Sequence, residues 1–483
     1  MSSLTALDTK NKLRGDCQNS SSNSTSDDNT SDASSDYAAT DTDSAASEIS
    51  YCSADDSNSN SNNTFEPGTV PDSDSKKGSR ITLLGIQERS KCGYCKTPNG
   101  SRCFMIKSKQ ITCTDYQALI DRGWRRSGLL MYLTDHSDSC CAYYPIRTHA
   151  LEHSLGASDK KLLRRWRKRF AKNKMDGGAA AVVDKKEVAD EMVDMVCGLD
   201  GGGLKVVMEP AQFTEAKYRV FEKYQKAVHD EESTPKGFEW FLCATPLVPQ
   251  SMNIPNPASD QQTRLLPHGL GTYHQCYYID GKLAAVSVLD ILPSCVSAVY
   301  FFYDPEFSPL SMGTYSALRE MALVRELHCI VPSLQYYYLG YYIPGCNKMT
   351  YKGRWRPADL LDLLTFNWVP IEHCLRRISE HPVFCTFDTG SDTHSEVMRD
   401  TAGECVAAAA PALKITGLGG LCVDDVRRWR QLVVWLDLGY FGGRLVPMSA
   451  DNLASISKSL ELVVLQAYAA LGVDVACRTT LVI

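Results

Sequence analysis

The sequence predicts an α/β (α+β) fold, and three observations carry that prediction. Strand signals cluster over Phe238–Cys243, Gly271–Ile279, Leu283–Leu292 and Ser297–Tyr303, rich in β-branched and aromatic residues. The turn signals Asp280-Gly281 and Leu292-Pro293-Ser294 bracket the third of these runs, as antiparallel hairpins require. Helical spacing then takes over across Ser311–Cys329, and Leu334–Tyr342 returns to strand composition.

The remaining elements follow from the same periodicities. Ile81-Thr82-Leu83-Leu84 reads as the first strand. Between Asp159 and Lys174 lie nine Lys or Arg residues, with Leu162, Leu163, Trp166 and Phe170 on one helical face. Such a helix is either docked by its apolar stripe with a solvated charged face, or reads phosphates. Thr214–His229 is amphipathic through Ala216, Val220, Phe221, Tyr224 and Val228, and helices are expected over Val423–Leu436 and Leu453–Ala470.

With 483 residues, 43% of them hydrophobic, the chain is long enough for two or three domains. Residues 1–80 read as a disordered acidic, Ser/Asn-rich tail, because so few apolar side chains cannot offset the cost of ordering. An N-terminal cysteine-rich domain is expected over 81–175, a linker over 176–208 and an α/β domain over 209–380. A flexible insertion follows over 381–421, and a helical and strand extension over 422–483 is expected to complete the second domain. The formal charge of −6 belongs to the tail: residues 18–64 hold nine acids and no Lys or Arg, leaving the remainder at +3. Nineteen scattered cysteines fit no secreted disulfide framework. No charged and apolar leader opens the chain and no run of about 20 apolar residues occurs. The expected location is therefore the cytoplasm, with the nucleus as a second compartment, without membrane contact.

Cys92-Gly93-Tyr94-Cys95 has the spacing at which a tight turn converges two thiolates on one soft metal centre, and adjacent Cys140-Cys141 could complete a four-sulfur set. Zinc, an iron-sulfur cluster and a redox disulfide compete for this set. The disulfide is weakest, since a turn, Lys96-Thr97-Pro98-Asn99-Gly100, follows the pair where a redox motif would open a helix. Ordinary buried thiols at Cys140 and Cys141 are the competing reading.

Further residues carry a resemblance. Cys92-Gly93-Tyr94-Cys95, the run from Asp115 to Gly128, Cys140-Cys141 and Tyr144-Pro145-Ile146-Arg147 together resemble the N-terminal domain of eukaryotic arginyl-tRNA-protein transferases. Tyr273-His274-Gln275, Asp280-Gly281-Lys282, Asp290-Ile291-Leu292-Pro293, Tyr303-Asp304-Pro305, Ser316-Ala317-Leu318-Arg319-Glu320, Tyr337-Tyr338-Leu339-Gly340 and Met349-Thr350-Tyr351-Lys352-Gly353 follow in that family's order. The resemblance spans roughly 85–375, apart from the linker. It implies a C-terminal acetyltransferase-like (GNAT-like) domain beside the smaller cysteine-rich one. It also implies that Cys92, Cys95, Cys140 and Cys141 bind an iron-sulfur cluster of 4Fe-4S type, with zinc or haem as alternatives. One departure stands out: where the family has a small turn with a Trp and a His, this chain has Cys103-Phe104-Met105-Ile106-Lys107-Ser108-Lys109, bulkier and more basic. If that turn shapes the acceptor pocket, the substrate range changes.

The implied reaction moves arginine from Arg-tRNA to the N-terminal α-amine of proteins beginning with Asp, Glu or oxidised Cys, marking them for degradation by the ubiquitin–proteasome N-degron pathway. The aminoacyl ester is already activated, so no ATP is needed. The arginyl side chain calls for a carboxylate in fork geometry, for which Asp290, Asp304 and then Glu320 are the candidates. His274 is a candidate general base, flanked by Tyr273 and Gln275, or else a core histidine. Arg147, or one of Arg122, Arg125 and Arg126, would read the acceptor's acidic first residue. Tyr337 would stack the terminal adenine, and Lys352, the basic helix and Ser311-Met312-Gly313 would hold phosphates. A monomer is expected. The alternative is a catalytically altered relative that binds tRNA or senses redox state or haem. An ordinary acetyltransferase is disfavoured, since no Q/R-x-x-G-x-G/A loop precedes Ser311.

Overall fold

The computed structural model describes residues 78–136, 138–171, 190–251, 265–381, 384–387, 432–437 and 445–483. The tail before residue 78, most of the 381–421 insertion and the 423–431 part of an expected helix lie outside the described residues.

The N-terminal segment supplies strands β1 (Arg80–Ser90), β2 (Ser101–Thr112), β3 (Arg125–Ser127), β4 (Leu130–Thr134) and β5 (Tyr144–His149). The middle supplies β6 (Leu204–Pro210), β7 (Leu247–Val248), β8 (Gly271–Ile279), β9 (Lys282–Ile291), β10 (Cys295–Tyr303), β11 (Tyr336–Tyr342), β12 (Ala358–Leu361) and β13 (Trp368–Pro370). The C-terminal segment adds β14 (Val433–Asp437), β15 (Leu445–Ser449) and β16 (Thr480–Val482). The longer helices include α1 (Ala157–Ala171), α2 (Glu215–Tyr224), α3 (Met312–His328) and α4 (Lys458–Leu471).

The strands form two mixed sheets, ordered β15-β14-β16-β1-β2-β4-β3 and β13-β12-β5-β11-β10-β9-β8-β6, with β7 added beside β2. The expected hairpins are present. Asp280 (φ 49°) and Gly281 (φ 80°) make the two-residue turn between β8 and β9, where paired positive φ values match the twist of the flanking strands.

Six expectations change. Phe238–Cys243 is helical, because Thr234 caps Gly237 N–H and Pro235 sits at the first helical position. The expected linker contains a helix at Glu191–Cys197 and strand β6, which pairs with β8 along its whole length as the edge of the second sheet. Val433–Leu436 is strand, paired with β15 and β16. The C-terminal extension completes the first sheet, not the second, since β16 runs parallel to β1 with Ile81 opposite Leu481. Conversely β5, from the N-terminal segment, lies in the second sheet between β11 and β12. Sheet boundaries therefore do not follow the expected division at 175–209. Cys103–Lys109 is not a turn but the body of β2, paired with β1 on one side and β4 on the other.

Helix α3 packs against the second sheet and is buried on nearly every face. Helix α1 docks on α3 by the stripe that its sequence shows: Leu162, Leu163, Trp166 and Phe170 are buried, and the Trp166 ring stacks on Tyr315 with centroids 3.7 Å apart. No helix among the described residues is long and apolar enough to cross a membrane.

Candidate functional site

Two constellations combine chemistry-bearing residues. The first is a thiol centre. The Sγ atoms of Cys92, Cys95, Cys140 and Cys141 all lie within 4.8 Å of one another, with Cys95–Cys140 at 3.1 Å and Cys92–Cys141 at 3.9 Å. The C-x-x-C turn is closed by Cys92 N–H to Thr97 O (3.0 Å), and Cys140 N–H donates to Gly100 O (2.8 Å), which brings the two cysteine pairs together. The contact with Cys141 Sγ, and then the Tyr143 hydroxyl 3.0 Å away, pull Cys92 down to about 4 against the opposing effect of burial. Burial pushes Cys140 up to about 12, with its thiol neighbours adding to the effect. Four sulfurs that converge in this way suit a soft, tetrahedral metal centre. The residues present fit such a group. A Cβ added at Gly100 would lie 2.7 Å from Cys140 Sγ, so the turn is shaped around that sulfur. Gly100→Ala should displace Cys140 and weaken metal binding by roughly 10-fold or more, measured by competitive titration with a zinc or cobalt chelator. Unchanged affinity would remove Cys140 from the ligand set.

The second constellation lies where two neighbouring strands part. Strands β10 and β11 pair in parallel only over Cys295–Ser297 and Tyr336–Tyr338. Beyond that point β10 has a register shift between Ala298 and Tyr300, and β11 has one between Tyr338 and Tyr341, where Gly340 takes φ 79°. Each bulge bends its strand, and a cleft opens between them. It is lined by Ala298, Tyr300 and Leu339 from the strands and by Gly313, Ser316 and Ala317 from the first turns of α3, and Tyr351 also borders it. Its volume is only about 20 Å³, room for an amine-sized group and not for an arginine side chain.

Glu320 reaches this cleft from α3. It is 2% exposed, accepting a hydrogen bond from Ser287 Oγ at 2.6 Å and another from Tyr337 OH at 2.6 Å. Burial pushes its carboxyl up to about 7, although both hydroxyls favour the ionised form. A carboxyl poised near neutrality, hydrogen-bonded and bordering a cleft, can take a proton from an amine held there. A larger hollow, about 580 Å³, lies by Trp435, Cys477 and Arg478, but among the described residues no carboxylate lines it.

The structure brings Glu320 and Tyr337 together and places the other predicted residues elsewhere. Asp290 is fully buried, and its fork is already filled. Arg126 Nε donates to Oδ2 at 2.8 Å, Arg126 Nη2 to Oδ1 at 2.7 Å, and Thr272 Oγ1 to Oδ1 at 2.7 Å. It cannot also read a ligand's arginine. Asp304 caps Glu306 N–H and pairs with Lys223 at 2.8 Å and Lys282 at 3.2 Å, at the far end of β10 from the pairing with β11. His274 is a core histidine. Its Nε2 bonds Leu242 O at 2.9 Å and burial pushes it down to about 4, too low for a base near pH 7. Tyr273 OH donates to Gly269 O, and the Gln275 carbonyl accepts from Tyr277 OH, both at 2.6 Å.

The expected cations are likewise engaged. Arg147 pairs with Asp359 at 3.0 Å, its guanidinium over the Tyr336 and Trp368 rings. Arg122 donates to Ala469 O and covers Phe366, and Arg125 donates to Gly340 O and the Tyr338 hydroxyl. Lys352 is fully buried and donates to Tyr341 O at 3.0 Å, so it offers nothing to a phosphate. Ser287 is the residue that sequence reasoning misses. Its signal is a lone hydroxyl inside the apolar run Leu283-Ala284-Ala285-Val286-Ser287-Val288-Leu289.

Fold and site thus define a mixed α/β protein with two sheets, a four-thiol centre able to hold a metal, and a buried acid–tyrosine cleft where two parallel strands split. Comparison with known proteins makes this particular. Residues 90–161 match the model of the N terminus, and residues 216–362 that of the C terminus, of arginine-tRNA-protein transferases. Arginyl-tRNA--protein transferase 1 of Drosophila melanogaster is 30% identical over 62% of this chain and 84% of its own length. The protein of the same name from Saccharomyces cerevisiae is 33% identical over 61% of this chain and 63% of its own length. The aspartate/glutamate leucyltransferase of Chromobacterium violaceum is 26% identical over 56% of this chain and 87% of its own. This chain belongs to the arginine-tRNA-protein transferase family.

Proposed function

We propose that this chain transfers arginine from Arg-tRNA to the N-terminal α-amine of proteins that begin with Asp, Glu or oxidised Cys, marking them for the N-degron pathway. The observation that carries this reading is Glu320 at the β10/β11 split, held by Ser287 and Tyr337 with its carboxyl pushed up to about 7. The acceptor amine attacks the carbonyl of the aminoacyl ester. An amide C–N bond forms, the ester C–O bond breaks, and the amine's proton passes through Glu320 to the departing 3′ oxygen of the tRNA. An α-amine titrates at about 7.7 to 8.0, so a base near 7 suffices and positioning does much of the remainder.

Family membership supports the tRNA donor, and the acceptors in the name of the bacterial leucyltransferase, aspartate and glutamate, support an acidic first residue. An acetyltransferase-like second sheet accords with the split of β10 and β11 beside the start of α3, a natural seat for an acyl donor. The four-sulfur set and its vicinal pair accord with a 4Fe-4S cluster; zinc uses the same donors. Such a group would be held by Cys92, Cys95, Cys140 and Cys141. A cytoplasmic monomer is proposed on composition alone.

The test is transfer of labelled arginine from Arg-tRNA to an Asp-leading peptide, with a Met-leading peptide as control. Incorporation into the first alone is expected. Tight tRNA or haem binding without incorporation, by metal-loaded and folded protein, would favour the non-catalytic alternative.

A further inference from the structure

Helix α1 is the most cationic element of the described chain. Its buried stripe faces α3, and Lys161, Arg164, Arg165, Arg167, Lys168 and Arg169 are exposed on the rest of its surface. At 100° per residue, Lys161, Arg164 and Lys168 point directly away from the stripe, along about 10 Å of helix. Arg165 and Arg169 lie on one flank. Arg165 donates to Ser311 Oγ at 2.9 Å, immediately before α3, and Arg169 pairs with Asp280 in the β8–β9 turn. Among the described residues, Arg164, Arg167 and Lys168 make no ion pair.

Helix α1 abuts the helix that borders the cleft, and its Arg165 reaches Ser311 at the start of that helix. Trp166 of α1 stacks on Tyr315 of α3, and the same two turns of α3 contribute Gly313, Ser316 and Ala317 to the cleft lining. The apolar stripe is consumed in the core, so the helix has no hydrophobic face with which to enter a membrane. What it offers is a fixed row of cations, and a row of phosphates complements it. The stretch matching the family's N terminus ends at residue 161 and the C-terminal one begins at 216, so Arg164 and Lys168 lie in neither.

Resting on the reading that Arg-tRNA is the donor, we infer that the outer face of α1 docks the phosphates of the tRNA acceptor stem, with Arg164 and Lys168 as principal contacts. This orientation leads the stem past Ser311 so that its 3′ end enters at the β10/β11 split. Shape and charge are read there, not sequence, as expected of contacts to an RNA helix backbone.

The test measures binding of deacylated arginine tRNA to the full chain as a function of salt. Arg164→Glu with Lys168→Glu should weaken binding at about 0.1 M salt by 10-fold or more, and flatten the log–log salt dependence by about 1.5, for two phosphates released. Lys107→Glu with Lys109→Glu, the same charge change on exposed residues of β2, should bind within twofold of the parent. Wild-type affinity in the α1 variant would overturn the inference, as would equal losses in both variants. Tighter binding of the parent to anionic vesicles than to tRNA would also overturn it. Should the doubly reversed chain misfold by circular dichroism, Arg164→Ala with Lys168→Ala gives the same readout with a smaller loss. Deacylated tRNA needs no transfer chemistry. A failed transfer assay with the α1 effect intact therefore rejects the proposed reaction alone, and active transfer with no α1 effect rejects this surface alone.

Discussion

Glu320→Gln lowers arginine transfer by about 100-fold or more at pH 7.5, the range of a lost general base, while the protein stays folded. The parent rate should rise with pH through about 7, where the carboxyl ionises, and again near 8 as the amine loses its proton. In the variant only the upper limb should survive. Stability provides a second check with its own sign. The folded carboxyl titrates above the usual 4.5, so the fold favours the protonated form; that contribution is complete below pH 4.5 and is lost as pH rises through 7. Glu320→Gln should therefore gain stability relative to the parent above pH 7. A variant with parental rate and parental pH profile would remove Glu320 from the reaction.

Asp290→Asn destabilises the chain by roughly 3–5 kcal/mol, because it leaves Arg126 buried and charged without its partner. Urea unfolding measures this. Replacing both residues at once, Arg126→Met with Asp290→Leu, should recover most of the loss, since no lone charge remains. If Asp290 read the arginyl group, Asp290→Asn would instead raise KM for Arg-tRNA and leave the unfolding midpoint in place. The two outcomes separate cleanly.

These two carboxylates show what a sequence can and cannot convey. Asp290 and Glu320 were equally eligible on residue type. Their difference lies in partners distant along the chain: Arg126 for one, Ser287 and Tyr337 for the other. Local pattern located β8 to β11, α1 and α3 well, because each has a strong period and clear turn chemistry at its ends. Phe238–Cys243 reads as strand because a run of bulky apolar residues suits either structure, and only the Thr234-Pro235 start distinguishes the helix. The four cysteines were legible through spacing, a local property, whereas the split between β10 and β11 arises from two bulges that leave no local signature. In Arg147, Lys352 and His274 the chemistry that residue type offers is cancelled by burial and pairing.

The parallel pairing of β1 with β16 ties residues 80–82 to residues 480–482. On the ribosome, β1 emerges first and one of its edges then waits through the synthesis of some four hundred residues for the strand that covers it. An open strand edge invites pairing with a neighbouring nascent chain. Chaperone demand during translation should accordingly depend on whether β16 has been made, and ribosome stalling before β16 should yield aggregates even though both constellations described above have already been synthesised.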